Sequence, residues 1–487
     1  MPRAIENLPI GLTLGIGAGL IGIRIWFHLA SSPVPDEAYY WLWGQNLDWG
    51  YYDHPPLQAW FQGLSAALFG ASKFALRLPT VLTTLILIYA FYRISALVQI
   101  GARAQFTLLV GVFASPLFFT FTSLAFNDHV MLAALGLAGL WAFEEALNLQ
   151  TPSHRPNRLR LIGIGLALGF ATLAKFNAVF FALGLFVFLL LDPPSRRLFR
   201  TPAFYGAGLI AGLCLTPVLW WNAYNGAPTF DYNFNQRLSA ASGIGDWGTR
   251  ALTFLIAFGL SAGPLVWLGL FRDKCVGALA TLRRLALTIL WVSTLGFLLL
   301  SYQTYVLFYW NLPALILALP VFVMGFKRQL TLIAHMGFGF FFSALLIINY
   351  TFFPLSALSG QVDKESAIMH GWPEIRAWVL ETEQQVSPDF LAASDYRSGS
   401  ILAFWLNRSD IDVVAERLSQ FTLWSDPAAR AGQSVLLLTS NWFPLEAVHW
   451  QHFKDIREIS RLDVQIFSYP ITTYKLYLGT GISHISN

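Results

Sequence analysis

Apolar runs of about twenty residues recur along the first 350 residues of this 487-residue chain. Each is long enough to cross the ~30 Å hydrocarbon core of a bilayer as a helix. A backbone in lipid must satisfy its own hydrogen bonds, so runs of this kind leave the chain little choice but a helical bundle. Composition agrees: 55% of residues are hydrophobic and only 12% charged, against about 25% charged in a soluble domain. The reading is a polytopic membrane protein, mainly α, with about eleven spans. They run roughly Leu8–Ala30, Leu76–Val98, Gln105–Thr122, Asp128–Leu147, Leu161–Ala174, Phe176–Leu191, Ala203–Trp221, Arg250–Phe271, Leu285–Tyr302, Phe308–Phe326 and Leu330–Phe353. The first is too long for a signal-peptide core and is followed by further spans. Its Arg24 either snorkels or faces the bundle.

Charge orients the bundle. Alternate loops carry Arg93 and Arg103, then Arg155, Arg158 and Arg160, then Arg196, Arg197 and Arg200, then Arg272, Lys274, Arg283 and Arg284, then Lys327 and Arg328. The loops between carry few cations: Lys73, Arg77, Lys175 and Arg237. The positive-inside rule puts the first set in the cytoplasm. The loop from Asp36 to Pro56, the Asn127-Asp128 step, Lys175 and the Tyr224–Gly248 loop then all face outside, as does everything after the last span.

Two domains are expected: a transmembrane domain over residues 1–353, whose first outer loop is 31–75, and an extracytoplasmic α/β domain over 354–487. From about Pro354 the long apolar runs stop. Helix-like stretches (Trp372–Gln385, Ala393–Leu406) alternate with strand-like ones (Val435–Thr439, Val464–Tyr469, Thr473–Leu478). Leu57–Phe69 reads as an amphipathic helix lying on the membrane. The glycines of Gly15-Ile-Gly17-Ala-Gly19 and Gly163/Gly165/Gly169 fall in spans, where they permit close packing rather than phosphate binding. No nucleotide-binding glycine pattern follows a strand, so no nucleotide cofactor is expected, and no basic module points to nucleic acid. Cys214 and Cys275 imply no disulfide framework.

The polar residues that carry chemistry cluster outside. The stretch Pro35–Pro56 holds Asp36-Glu37-Ala-Tyr39-Tyr40 and Gly50-Tyr-Tyr52-Asp53-His54-Pro-Pro56. Asp128, Lys175 and Arg237 come from other outer loops. Ionisable groups at span ends are costly unless paired or hydrated, and often mark a site. A carboxylate there can act as a general base on a hydroxyl. Lys175, Arg237 and His54 can neutralise a phosphate. Asp36 and Asp128 can instead hold a divalent cation through hard oxygen ligands. An ordinary interfacial loop also collects Trp and Tyr, and a transporter of lipid-linked sugars would share many spans and a few outward charges. A transporter, however, places its polar groups near the midplane between repeats. Here they gather at outer helix ends, with no internal repeat.

At these residues the sequence resembles glycosyltransferase family 39, the protein O-mannosyltransferases and lipid A aminoarabinose transferases of the glycosyltransferase-C class. The resemblance rests on Asp36-Glu37-Ala-Tyr-Tyr and Gly50-Tyr-Tyr-Asp-His-Pro-Pro-Leu57. It continues through Phe74-Ala-Leu-Arg77-Leu-Pro79, Asp128, Thr172-Leu-Ala-Lys175, Pro228 to Arg237, and Tyr309-Trp310-Asn-Leu-Pro313. It implies transfer of a sugar from a polyprenyl phosphate to a lipid-linked or envelope glycan acceptor of the lipid A or lipopolysaccharide kind. The site would face the periplasm of a bacterial inner membrane. It implies that Asp36, Glu37 and Asp128 are catalytic, with Asp36 and Asp128 as possible metal ligands. It places Asp53, His54, Lys175 and Arg237 around the donor phosphate and Tyr39, Tyr40, Tyr52 and Trp310 along the substrate. One departure stands out: the aminoarabinose transferase pattern has Glu-Lys where this chain has Asp53-His54, so the donor sugar is expected to differ.

Overall fold

A computed structural model describes residues 3–238, 246–271, 275–415, 417–450 and 452–482. Arg272, Lys274 and residues 239–245 of the expected Tyr224–Gly248 loop lie outside the described residues. The chain divides into two compact units, the first Met1–Arg24, His54–Gln58 and Leu78–Ser343, the second Ile25–Asp53, Ala59–Arg77 and Ala344–Asn487. The first outer loop thus packs with the carboxyl-terminal part of the chain.

Every expected span is helical. Among the described residues, seven helices are long and apolar enough to cross a membrane alone: Ile10–Ala30, Lys73–Leu97, Asn127–Leu149, Pro202–Tyr224, Gly277–Leu300, Phe308–Gly325 and Gln329–Thr351. The pair Ala102–Phe113 and Pro116–Ser123, bent by 80°, is apolar enough to be an eighth span, broken in the middle, or a re-entrant loop. Pro116 lacks the N–H that would continue the first helix, and Ser115 at the break donates its hydroxyl to the Ala262 carbonyl at 2.7 Å. The remaining expected passes are shorter: Arg158–Ala174, Val179–Leu191, and Trp247–Ala262 followed by the turn Val266–Phe271.

In the first unit small residues let helices touch. A β-carbon at Gly165 would run into the Ala207 backbone and one at Gly169 would stand 2.6 Å from Cβ of Cys214, so these two bring helices close as expected, whereas one at Gly15 would meet nothing within 4 Å among the described residues. Cys214 and Cys275 are both free thiols. Arg24 faces the bundle: its guanidinium donates to the carbonyls of Thr80 (3.1 Å) and Thr122 (2.6 Å) and to the Thr84 hydroxyl (2.8 Å). Within this unit, Lys175 of the outer set and Arg93 and Arg160 of the inner set meet opposite ends of Asn127–Leu149. Asp128 opens this helix. Near its far end Glu144 holds Arg93 at 3.0 Å and Arg160 at 3.2 Å, and Glu145 holds Arg160 at 2.8 Å. Sixteen residues of helix separate the two ends by about 24 Å.

In the second unit Pro35–Gln45 forms the loop helix and Leu57–Phe69 the expected amphipathic one. The last span ends at Thr351, and a five-stranded sheet follows, in the order β2-β1-β3-β5-β4. Its strands are β1 (Phe390–Ala393), β2 (Asp412–Val413), β3 (Val435–Ser440), β4 (Asp455–Ile466) and β5 (Tyr469–Thr480). β1 runs parallel to β2 and β3, while β5 is antiparallel to β3 and β4. Central β3 is buried at every residue, as a strand covered on both faces must be. Helices Trp372–Val386 and Tyr396–Leu406 complete the domain.

Two sequence expectations are corrected here. The run Val464–Tyr469 is not one strand: Val464–Ile466 end β4, Phe467 (φ 49°) and Ser468 (φ 69°) turn the chain in left-handed backbone, and Tyr469 opens β5. Such turns usually announce themselves with Asn-Gly or Asp-Gly; this one does not. The helix expected from Ala393 starts instead at Tyr396. Asp395 caps it, accepting from the backbone N–H of Arg397 (2.9 Å) and Ser398 (3.2 Å), and the residues before it form β1.

Candidate functional site

The first unit gathers Asp128, Lys175, Arg237 and Trp310. Lys175 is the extended residue that breaks the chain between Arg158–Ala174 and the short turn Phe176–Ala178. The break turns its side chain toward the start of Asn127–Leu149, where Nζ donates to both carboxylate oxygens of Asp128, at 2.8 and 2.7 Å. The ammonium also lies 4.9 Å from the centroid of the Tyr309 ring. The next residue, Trp310, carries the Arg237 guanidinium 4.4 Å from its ring centroid. Asn177 donates to the Trp310 carbonyl at 2.6 Å and so ties the Lys175 turn to this aromatic segment. Tyr309 itself stacks on Phe121 at 4.7 Å. Two cations from distant loops are therefore set on two consecutive rings. Aromatic faces hold a guanidinium or ammonium without consuming its N–H donors. His54 belongs to this unit and is half-buried.

The second unit holds Asp36, Glu37, Tyr39, Tyr40, Tyr52 and Asp53. Pro35 starts the loop helix, which suits its fixed φ and missing N–H, and Asp36 and Glu37 fill the first turn, where the helix dipole favours carboxylates. Glu37 is fully buried and bound to Arg77: Arg77 Nε meets Oε1 at 3.1 Å and Nη2 meets Oε2 at 2.6 Å. The same guanidinium donates to the carbonyls of Phe27, His28, Ser31 and Ser32 at 3.0 to 3.3 Å. Glu37 also accepts from the Val34 N–H at 3.0 Å. The Glu37 carboxylate is thus engaged in holding the entry of the loop helix, while its neighbour Asp36 is half-buried.

Tyr39, Tyr40 and Tyr52 are 1%, 5% and 4% exposed. They build the wall behind Asp36 rather than offer open faces. The Tyr39 hydroxyl accepts from the Gln420 N–H at 2.6 Å, and Gln420 Oε1 accepts from the Tyr52 N–H at 2.7 Å. Burial, and next the charge of Asp53, push the Tyr39 phenol well above its ordinary pKa. Tyr396, at the start of its helix, lies 5.1 Å from Tyr39 ring to ring and points its hydroxyl at Asp36 Oδ1, 3.5 Å away. Burial, and next the charge of Asp36, push the Tyr396 phenol up to about 12, so it remains a protonated donor. Sequence reading missed Tyr396 and Gln420, which lie 360 and 381 residues from their partners. In the sequence Arg77 stands out only as an outer-loop cation and as part of the Phe74–Pro79 motif.

Among the described residues no group of three or more His, Cys, Asp or Glu side chains has the arrangement of a metal site. Asp128 gives both its oxygens to Lys175.

The chain was compared with known proteins. Residues 53–221 match the family described as dolichyl-phosphate-mannose-protein mannosyltransferase. Lipid A galacturonosyltransferase RgtD of Rhizobium johnstonii is 30% identical over 264 residues, 53% of this chain and 52% of that protein. The undecaprenyl phosphate-alpha-4-amino-4-deoxy-L-arabinose arabinosyl transferase 1 of Proteus mirabilis is 27% identical over 176 residues, 36% of this chain and 31% of that one. The matched part thus spans about half or less of these curated relatives. Crystal structures of ArnT from Cupriavidus metallidurans, apo and bound to undecaprenyl phosphate, superpose over 96% of this chain and 98% and 97% of theirs, with TM-scores of 0.65 and 0.63 at 15% identity. The resemblance is borne out by the family match and the relatives, and the fold is that of the ArnT structures.

Proposed function

We propose that the protein is an integral-membrane glycosyltransferase. It moves a sugar from a polyprenyl phosphate to a hydroxyl of a lipid-linked or envelope glycan of the lipid A type, on the periplasmic side of a bacterial inner membrane. The observation that carries this is the pair of cations, Lys175 and Arg237, set on Tyr309 and Trp310 beside Asp128. It suits an anionic leaving group. The names of the relatives, lipid A transferases and a polyprenyl-phosphate-linked arabinosyl transferase, supply the substrate classes.

In this reading the acceptor oxygen attacks the anomeric carbon. The bond from that carbon to the phosphate oxygen breaks, and polyprenyl phosphate leaves with the electron pair. Asp36 takes the acceptor proton. Lys175 and Arg237, with His54, stabilise the charge that grows on the phosphate, which lowers the barrier because the interaction strengthens toward the transition state. Asp128 holds Lys175 in place. Glu37 serves by holding the loop helix. Tyr39, Tyr40 and Tyr52 shape the wall behind Asp36, and Trp310 the wall beside Arg237. Use of a divalent cation is a further part of the proposal, checked by assaying transfer before and after chelation with EDTA.

The test is purified protein in detergent with a polyprenyl-phosphate-linked sugar and lipid A. Mass spectrometry should find the acceptor heavier by one sugar residue. A transporter of lipid-linked sugars would give no such product, and that result would replace the proposal.

A further inference from the structure

The hairpin of β4 and β5 reaches beyond the sheet that carries it. β3 pairs with β5 only over Tyr474–Gly479, so the turn end of the hairpin, Val464 to Thr472, lies past the end of β3. This overhang is uncharged. No residue from Val464 to Tyr474 is Asp, Glu, Lys or Arg, while Asp455, Arg457, Glu458, Arg461 and Asp463 line β4 before it. Its turn is also costly. Phe467 and Ser468 both adopt left-handed backbone, φ 49° and 69°, which a side chain as bulky as Phe avoids. Asn-Gly would make the same turn without that strain. The chain keeps instead a phenyl ring that is 78% exposed, followed closely by the exposed Tyr469. Strain retained at an exposed position points to a function there.

The surroundings of the tip say what it meets. Val464 packs on Gly371, where a β-carbon would stand 2.7 Å from the Val464 side chain. The preceding His370 reaches the carbonyl of Asn349, in the last turn of Gln329–Thr351, through Nε2 at 3.1 Å. The hairpin is thereby fixed to the end of the last span. Just beyond that end, Phe353 meets Tyr469 at 5.3 Å and Phe467 at 6.3 Å, ring to ring. The neighbouring Phe352 stacks at 5.1 Å on Trp26, near the end of the first span, and both rings are exposed. Trp26, Phe352, Phe353, Phe467 and Tyr469 therefore gather at the level where two spans end. Aromatic residues settle at that level in a bilayer.

We propose that the hairpin tip, Phe467 to Pro470, is a membrane anchor. The Phe467 and Tyr469 rings sit at the headgroup level of the leaflet in which the last span ends. The occupant of this surface is the bilayer itself, because the patch is continuous with the ends of two spans that already lie in it. The carboxyl-terminal domain is then tied to the membrane at two places, through the chain at Thr351 and through the tip. This holds whichever reaction the protein catalyses.

The test uses the full-length protein in phospholipid nanodiscs, with Cys214→Ala and Cys275→Ser as background. A nitroxide spin label is placed on Phe467→Cys or, as reference, on Arg457→Cys. Arg457 is exposed and lies ten residues back along β4, about 30 Å away at the rise of a strand. A label in lipid collides often with oxygen and rarely with a water-soluble nickel chelate. The oxygen-to-nickel collision ratio at position 467 should exceed that at position 457 several-fold. Equal, water-like ratios at both positions would overturn the anchor. A photoreactive benzophenone amino acid in place of Phe467, irradiated in native membranes, identifies the occupant. Its adducts should be phospholipid. Adducts with a second copy of this chain or with another protein, or none at all, would also overturn the proposal. The Phe467 side chain is exposed, so an unchanged thermal midpoint is expected of each labelled protein and is checked first.

Discussion

Lys175 reaches both carboxylate oxygens of Asp128 across 47 residues of chain, with the two side chains 12% and 2% exposed. Removing one partner of a buried pair leaves the other charge uncompensated, which typically costs about 3–5 kcal/mol. Lys175→Ala should therefore lower the thermal unfolding midpoint in detergent as well as abolish transfer. Lys175→Ala together with Asp128→Asn should regain much of the stability and none of the activity. If the double variant is no more stable than Lys175→Ala, the pair is not the source of the loss.

Asp36→Asn is expected to leave folding intact and to cut transfer by about 10²–10⁴-fold, the usual cost of losing a general base. The amide matches the carboxylate in shape but cannot take the acceptor proton. Near wild-type single-turnover transfer by the purified variant would remove Asp36 from the chemistry.

Arg77 and Glu37 behave differently. Arg77→Lys keeps the charge but cannot supply the fork that meets Glu37 and four carbonyls at once. The variant should be destabilised by about 3 kcal/mol or more, with activity lost in proportion to folded protein. A well-folded Arg77→Lys protein with a specific catalytic defect would instead give this pair a direct part in the reaction.

For Arg237, the alanine variant should slow single-turnover transfer about tenfold or more at saturating donor, the scale of one charged hydrogen bond. Trp310→Leu should give a smaller loss in the same direction, because it frees the guanidinium without deleting it. Unchanged rates in both would take Arg237 out of the phosphate site.

Alkaline pH should loosen the second unit. Tyr39, Tyr396 and Tyr474 all have phenols raised by burial above their ordinary value, Tyr396 to about 12. A folded-state pKa above the unfolded one means that folding favours the protonated phenol. The stabilisation is complete below about pH 10 and is lost as pH rises through the folded values. Phenolate absorbance near 295 nm should then rise together with loss of near-ultraviolet circular dichroism, above pH 10. Titration of these tyrosines as ordinary surface phenols, with structure retained, would contradict their burial.

The spans were legible because hydrophobic length is a local signal, and Leu57–Phe69 because its pattern is helical and short. Lys175 and Asp128 were legible as charges that sit at the ends of apolar runs. What the sequence concealed was the partner of each residue. Nothing in Glu37 announces that it is taken by Arg77 while its neighbour Asp36 meets Tyr396; that follows from the packing of distant segments on the loop helix. Phe467-Ser468 turns a hairpin without the glycine or asparagine that normally reveals one. Tyr396 and Gln420 sit in a stretch of ordinary soluble composition. Only the packing of that stretch on the loop helix sets them apart.

The clamp at Glu37 also dictates an order of assembly. Its arginine is synthesised 40 residues after the carboxylate it holds, and the backbone N–H that fixes Tyr39 arrives 381 residues later. The loop that carries Asp36 is therefore made long before residue 420, and it acquires its final shape only once that residue packs against it. A chain that has inserted its spans but not yet folded this domain still lacks the support that Gln420 gives to Tyr39 and Tyr52.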